Sequence, residues 1–180
     1  MFAASATWLL IAALIWVVIS DLLYRRISNG LVLGLLAVWL AGLVWRACSG
    51  DTTIWSTSLL CGVLTALAVL LVGLGLFVVR WVGAGDVKLM AVLSLWFGDQ
   101  GLNFLLVTSM VGGVLALALP LLRVFELWLA RAVLGFSQAL ALYWPSLLMP
   151  VPVVLGGSSP QGIPYGLAIA AGAACMLYLG

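Results

Sequence analysis

Charge is scarce in this chain and histidine is absent. Of 180 residues, seven are Lys or Arg and five are Asp or Glu, while 66% are hydrophobic. Mean hydropathy is +1.33. A soluble fold of this size needs a polar exterior that such a composition does not supply, so the chain reads as a membrane protein. The missing histidine excludes the Ser-His-Asp triad, the Cys-His dyad and every histidine-based metal site. Cys48, Cys61 and Cys175 stand alone in or beside apolar stretches, with no CxxC pair. That excludes a zinc ribbon, argues against a disulfide framework, and leaves the cysteines as small buried hydrophobes. No metal and no cofactor is implied. The net charge of +2 is too small to point to nucleic acid; the partner that composition implies is the lipid bilayer.

The few charges divide the chain. Residues 1–20, 27–45, 52–79, 100–122 and 132–180 are uncharged, and a helix needs about 20 apolar residues to cross a bilayer core. The first four runs each supply one span. The first has no basic n-region, so it reads as a spanning helix rather than a cleaved signal peptide. The last run is broken by Pro145, Pro150, Pro152, Gly156, Gly157 and Pro160, and only its end reads as a span. Between them, the uncharged core Leu89–Gly98 is too short to cross unless it recruits Trp81 to Lys88. Asp86 then sits in or at the edge of the bilayer. A charge at the bilayer centre costs roughly 2.5–3.5 kcal/mol, less near an interface, so such a residue is a functional candidate by default.

Six spans follow, about 3–20, 31–48, 55–79, 83–99, 101–122 and 161–179. Arg25 and Arg26, Arg80 and Lys88, and Arg123 and Arg131 alternate onto one face, which the positive-inside rule makes cytoplasmic. Arg46, beside Asp51, falls on the other face, and both termini lie outside the cytoplasm. Asp21 then ends the first span, and Asp86 begins the fourth, at the same cytoplasmic face. Asp51 and Asp99 fall opposite, and Glu126 lies beyond the fifth span. Across 123–143, Arg123, Glu126, Arg131, Ser137 and Gln138 share one helical arc, apart from Phe125, Trp128 and Leu129. This pattern suggests an interfacial helix. A seventh, imperfect span is the alternative, and it would reverse the final helix. With no repeat and no long linker, residues 1–180 read as one all-α, polytopic membrane domain of about six transmembrane helices and one interfacial helix.

Two carboxylates held together can hydrolyse a peptide bond without metal or histidine. They share a proton because two like charges a few ångströms apart resist full ionisation. The ionised partner takes a proton from water, and the protonated one donates to the scissile carbonyl. Asp21 opens the stretch Asp21-Leu22-Leu23-Tyr24-Arg25-Arg26-Ile27-Ser28-Asn29. A plainer reading pairs Asp21 with Arg25 at i,i+4, has the arginines hold the loop in the cytoplasm, and has Ser28 or Asn29 cap the next helix. Asp86 stands in Gly83-Ala84-Gly85-Asp86-Val87-Lys88-Leu89-Met90. The glycines allow close backbone approach, which suits an extended substrate strand beside the carboxylate. The plainer reading there is a helix cap after a glycine turn.

Taken whole, the two strings are far more specific. Asp-x-x-x-x-Arg-Ile-x-Asn after a first span, then Gly-x-Gly-Asp-Val-Lys-Leu before a fourth, resembles the type IV prepilin peptidases, the GxGD aspartic proteases of the membrane. Ile163-Pro164-Tyr165-Gly166, entering the last span, is similar to the same family. The resemblance covers nearly the whole chain. It implies Asp21 and Asp86 as the catalytic pair, with Gly83, Gly85, Lys88, Arg26, Asn29 and Tyr165 shaping the site or the substrate path. It also implies prepilin and pseudopilin substrates, cut after a glycine at the cytoplasmic edge of their hydrophobic helix, and a bacterial inner-membrane location. The chain lacks the insertion with paired CxxC motifs that accompanies methyl transfer in larger members. It therefore resembles the short branch serving tight-adherence (Flp) pili, which is similar to archaeal preflagellin peptidases. Ser28 departs from the proline of many members. The alternatives are another GxGD protease of the preflagellin or presenilin-like type, a transporter using Asp21 and Asp86 as a proton or cation relay, and a structural subunit of a secretion machine. Both carboxylates lying at one face, without a repeat, disfavours the transporter.

Overall fold

A computed structural model describes residues 2–50, 57–141 and 165–179. These form seven α-helices: α1 (Phe2–Tyr24), α2 (Asn29–Cys48), α3 (Thr57–Val78), α4 (Ala84–Phe97), α5 (Gly101–Leu117), α6 (Leu119–Ala141) and α7 (Tyr165–Leu179). A short 3-10 turn, Gly98–Gln100, joins α4 to α5, and no strand occurs among the described residues. Four helical stretches are long and apolar enough to cross a membrane: Thr7–Tyr24, Asn29–Cys48, Thr57–Val78 and the continuous run Ala84–Leu117 that holds α4 and α5. At 1.5 Å per residue, α4 and α5 are ~21 and ~26 Å long, each somewhat short of a ~30 Å hydrocarbon core. α7 is a shorter apolar helix.

Contacts between loops order the helices. Ser58, at the start of α3, donates to Asp99 Oδ1 at 3.2 Å, so α3 begins where α4 ends. Asn29 of α2 meets Lys88 of α4, and Gly166 of α7 meets Asp21 of α1. The starts of α2, α4 and α7 therefore gather with the end of α1 at one end of the bundle. α6 follows α5 at that same end and packs against α1 and α5. It is the most amphipathic of the seven helices and falls outside the set able to cross. α7 begins at the Asp21 end, which is the direction that follows when α6 does not cross.

The helix ends have local causes. Ser28 caps α2, its Oγ accepting from the Leu31 amide at 3.2 Å, which satisfies one of the orphan donors of the first turn. α3 closes in a Schellman motif: the Trp81 amide donates to the Leu76 carbonyl at 3.0 Å and the Arg80 amide to Phe77 at 2.9 Å. Arg80 takes φ 62 to do so, and Arg25 takes φ 51 where α1 stops; they are the non-glycine residues of positive φ among the described residues. Glycine is the usual choice at these positions, and another residue there costs on the order of 1–3 kcal/mol. A cation at a helix C-terminus complements the dipole there.

α4 lies at the centre, touching α2, α3, α5 and α7. Lipid tails are as apolar as leucine, so spanning helices associate by close backbone packing rather than by hydrophobic burial. α3 shows how: its buried residues are Gly62, Ala66 and Gly73. A Cβ on Gly62 would stand 3.0 Å from Gly98 Cα, and one on Gly73 would collide with Val87, next to Asp86. Leu10, Leu14 and Val17 of α1, Leu89 and Leu93 of α4, Phe104 of α5 and Ile169 of α7 share the buried centre. Trp8, Trp16, Leu71 and Val78 face outward, as suits contact with lipid.

Candidate active site

Asp21 lies in the last turn of α1. α1 runs three residues past it, to Tyr24, so the carboxylate projects from an intact helix rather than from the loop. It is buried, with 6% of its surface exposed. The beginning of α7 presses on it: a Cβ on Gly166 would stand 2.8 Å from Asp21 Oδ2 and 3.0 Å from Cγ. Only a residue without a side chain lets the α7 backbone pass this close to the carboxylate.

Asp86 is the third residue of α4. The N-cap is Gly83, which has no side chain to offer. The Asp86 carboxylate reaches back instead and accepts from the Gly83 amide, half of a capping box. A Cβ on Gly83 would lie 2.9 Å from Asp86 Oδ2. The helix-capping reading of Asp86 is thus part of the geometry, and it leaves the second carboxylate oxygen available for other partners. The charge of Asp21 acts on Asp86. α1 and α4 do not pack backbone to backbone among the described residues, and both lean on α2 and α7. The two aspartates thus lie at the same end of the bundle, on helices held apart by α2 and α7.

The segment between α1 and α2 closes over the start of α4. A Cβ on Gly85 would be 3.1 Å from Ile27 Cβ, and Lys88 Nζ donates to Asn29 Oδ1 at 3.2 Å. The Arg-Ile-x-Asn and Gly-x-Gly-Asp strings therefore touch at two points. Ser20 Oγ donates to the Arg26 carbonyl, which holds the turn, while the Arg26 side chain is exposed. Tyr165 is partly buried against the core; its ring lies over α5, where a Cβ on Gly112 would be 3.4 Å from the hydroxyl. It is Gly166, the next residue, that meets Asp21. In the sequence Gly166 closes the Ile-Pro-Tyr-Gly string with no role of its own, and a glycine at a helix start is the only signal that points to it. Asp51, Ile163, Pro164 and the side chain of Glu126 lie outside the described residues. Among the described residues, no group of three or more His, Cys, Asp or Glu side chains could hold a metal ion.

With that geometry in place, comparison with known proteins is decisive on one point. The model of the type IV leader peptidase family matches residues 8–119, well over half of the chain. The chain belongs to the type IV leader peptidase family. No curated protein matches it, and no solved structure does. The match runs from α1 through α5 and contains both aspartates and both glycines, so the chain is a membrane-embedded peptidase. Tyr165 and Gly166 fall beyond the matched residues, and it is their packing that brings α7 to Asp21.

Asp99 lies at the opposite end of the bundle from Asp21 and Asp86. It sits at the far end of α4, where its Oδ1 accepts from Ser58 and its amide donates back to Ser58 Oγ at 3.4 Å. An asparagine keeps the acceptor oxygen. Asp99→Asn is expected to cleave substrate at the wild-type rate and to change unfolding stability by no more than about 0.5 kcal/mol, read by thermal unfolding in detergent.

Proposed function

We propose that this peptidase is a prepilin leader peptidase of the aspartic type, with Asp21 and Asp86 as its catalytic pair. The observation that supports the reading is that both aspartates, one buried and one half-buried, stand at the same end of the bundle on helices that do not pack directly on each other. One carboxylate, ionised, draws a proton from a water held between them; the other, protonated, donates to the scissile carbonyl. Neither a metal nor a nucleophilic side chain enters the step.

The substrate is a prepilin or pseudopilin, cut after a glycine at the cytoplasmic edge of its hydrophobic helix, in a bacterial inner membrane. A cytoplasmic placement of the site is supported by the cationic residues at this end of the bundle, Arg25, Arg26, Arg80 and Lys88, under the positive-inside rule. Gly83 and Gly85 shape the site from within: the first gives its space to the Asp86 carboxylate and the second to Ile27. The Lys88–Asn29 hydrogen bond ties the two walls of the entrance. Tyr165 and Arg26 border the path of the substrate. The tight-adherence pilus branch suits a sequence whose three cysteines form no CxxC pair.

The test is cleavage of a synthetic prepilin spanning the leader and first helical turns, by the full-length protein in detergent or liposomes, with products read by mass spectrometry. A single cut after the glycine is expected. The same assay should be insensitive to EDTA and to thiol alkylation. The chain has no histidine, and Cys48 and Cys175 lie exposed and away from the aspartates. Loss of cleavage on chelation would rule out the two-carboxylate mechanism.

A further inference from the structure

Nine tryptophans occur in the chain, and Trp8, Trp16, Trp45, Trp81 and Trp128 are mostly exposed. Trp39 of α2 and Trp96 of α4 differ: both are turned inward and each reaches the other's helix. Trp39 Nε1 donates to the Leu95 carbonyl at 3.0 Å, and Trp96 Nε1 donates to the Leu35 carbonyl at 3.3 Å. Leu35 and Trp39 are one turn apart on α2, and Leu95 and Trp96 are adjacent on α4. The two bonds therefore form one reciprocal lock.

The acceptors explain why the lock is specific. Leu95 is among the last four residues of α4, whose carbonyls have no amide partner within the helix. In a bilayer such a group must be satisfied by protein, and the Trp39 indole does so. Leu35 is in the interior of α2, and a carbonyl has a second lone pair for a bond from outside the helix. Each indole thus fits one carbonyl at one depth, and sliding or rotating α4 by one residue would break both bonds.

We propose that the Trp39–Trp96 lock sets the depth and rotation of α4, and through it the placement of Asp86 against Asp21. Trp39 and Trp96 are positioning residues for the peptidase reaction. The inference rests on the reading of Asp21 and Asp86 as the catalytic pair. At the other end of α4, Ile27 against Gly85 and Asn29 against Lys88 hold the same two helices together, so α2 carries α4 at both ends. Asp21 belongs to the opposite wall, where α7 packs on it through Gly166. The active pair is assembled between these two walls, and an error in the α2–α4 register passes directly into the separation of the carboxyl groups.

The experiment uses the full-length protein and a synthetic prepilin peptide. Trp39→Phe and Trp96→Phe keep the aromatic bulk and remove the N–H. Each is expected to lower kcat about tenfold and the double variant about 100-fold, with KM changed less than about twofold, because misplacement of about 1 Å acts on the chemical step. The pH–rate bell is expected to narrow. Carboxyl groups moved apart interact less, so their two proton-release steps draw together. A purely structural role would reduce the amount of folded enzyme without changing the width of the bell. Replacing Trp96 by β-(3-benzothienyl)alanine, which exchanges N–H for sulfur in the same shape, carries the test should the phenylalanine variants fail to insert, and the same loss in kcat is expected.

Wild-type kcat and bell width in the folded variants would overturn the proposal, as would activity lost only in step with folded protein. Asp21→Asn and Asp86→Asn are assayed alongside. If they cleave normally, the catalytic reading itself falls and the positioning role falls with it. If they are inactive while the tryptophan variants behave as wild type, the positioning role alone is wrong.

Discussion

Replacing either Asp21 or Asp86 with asparagine is expected to stop prepilin cleavage while leaving the peptidase inserted and folded. Asparagine keeps the shape of the side chain and an acceptor oxygen, but it neither takes nor gives the proton that the pair must pass between water and the scissile bond. General acid–base catalysis contributes on the order of 10²–10⁴-fold. Because each carboxylate serves both the water and the carbonyl through the shared proton, removing one disables the other. The loss in each single variant is therefore expected at or beyond the top of that range, and the double variant should be no worse than either single one. Folding is expected to survive for a physical reason. In Asp86 the bond from the Gly83 amide has a side-chain oxygen to receive it in either residue. The check is cleavage by mass spectrometry beside thermal unfolding in detergent. Wild-type turnover by either asparagine variant would remove the dyad from the mechanism.

Much of this arrangement was legible in the sequence because charge is so scarce. Helices α1, α2, α3, α5 and α7 lie largely in the uncharged runs, α4 joins the short core from Leu89 to Gly98 to the segment that carries Asp86 and Lys88, and the cationic residues sort the helix ends with Asp21 and Asp86 together. The boundaries were less legible. The fifth span was drawn to 122, but α5 stops at Leu117 and α6 starts at Leu119. Pro120 explains this: it lacks an amide, so it interrupts a continuing helix but suits the first turn of a new one. α1 passes Asp21 to Tyr24 because Arg25 supplies a left-handed stop there, which no apolar pattern records. Ser28 caps α2 with its side chain. The tertiary contacts were not legible at all. Lys88 and Asn29 are 59 positions apart, and nothing in periodicity joins them. The same holds for Ile27 on Gly85 and for Trp39 and Trp96, whose indoles read as ordinary bilayer tryptophans until their acceptors are seen.

Gly166→Ala is expected to cut turnover sharply, because the methyl group it adds falls on Asp21. The added Cβ would stand 2.8 Å from Asp21 Oδ2, 3.0 Å from Cγ and 3.1 Å from Cβ, closer than real contacts allow. Either α7 retreats or the carboxylate turns away. α7 has little freedom to retreat, since Ala168 and Ile169 just beyond Gly166 are fully buried. Asp21 has two side-chain torsions and yields first. Its carboxyl group then leaves its place in the site, and a shift of about 1 Å costs on the order of 10²-fold in kcat. The strain that remains is expected to lower stability by about 1–3 kcal/mol. The control is Gly113→Ala in α5, where an added Cβ meets nothing within 4 Å. That change fills open space and removes the entropic cost of a glycine inside a helix, a gain of roughly 0.5–1 kcal/mol, so Gly113→Ala is expected to unfold slightly later and to cleave as wild type. If Gly166→Ala instead cleaves at the wild-type rate, α7 does not press on Asp21 in the working enzyme, and the wall it forms opposite α4 must lie elsewhere.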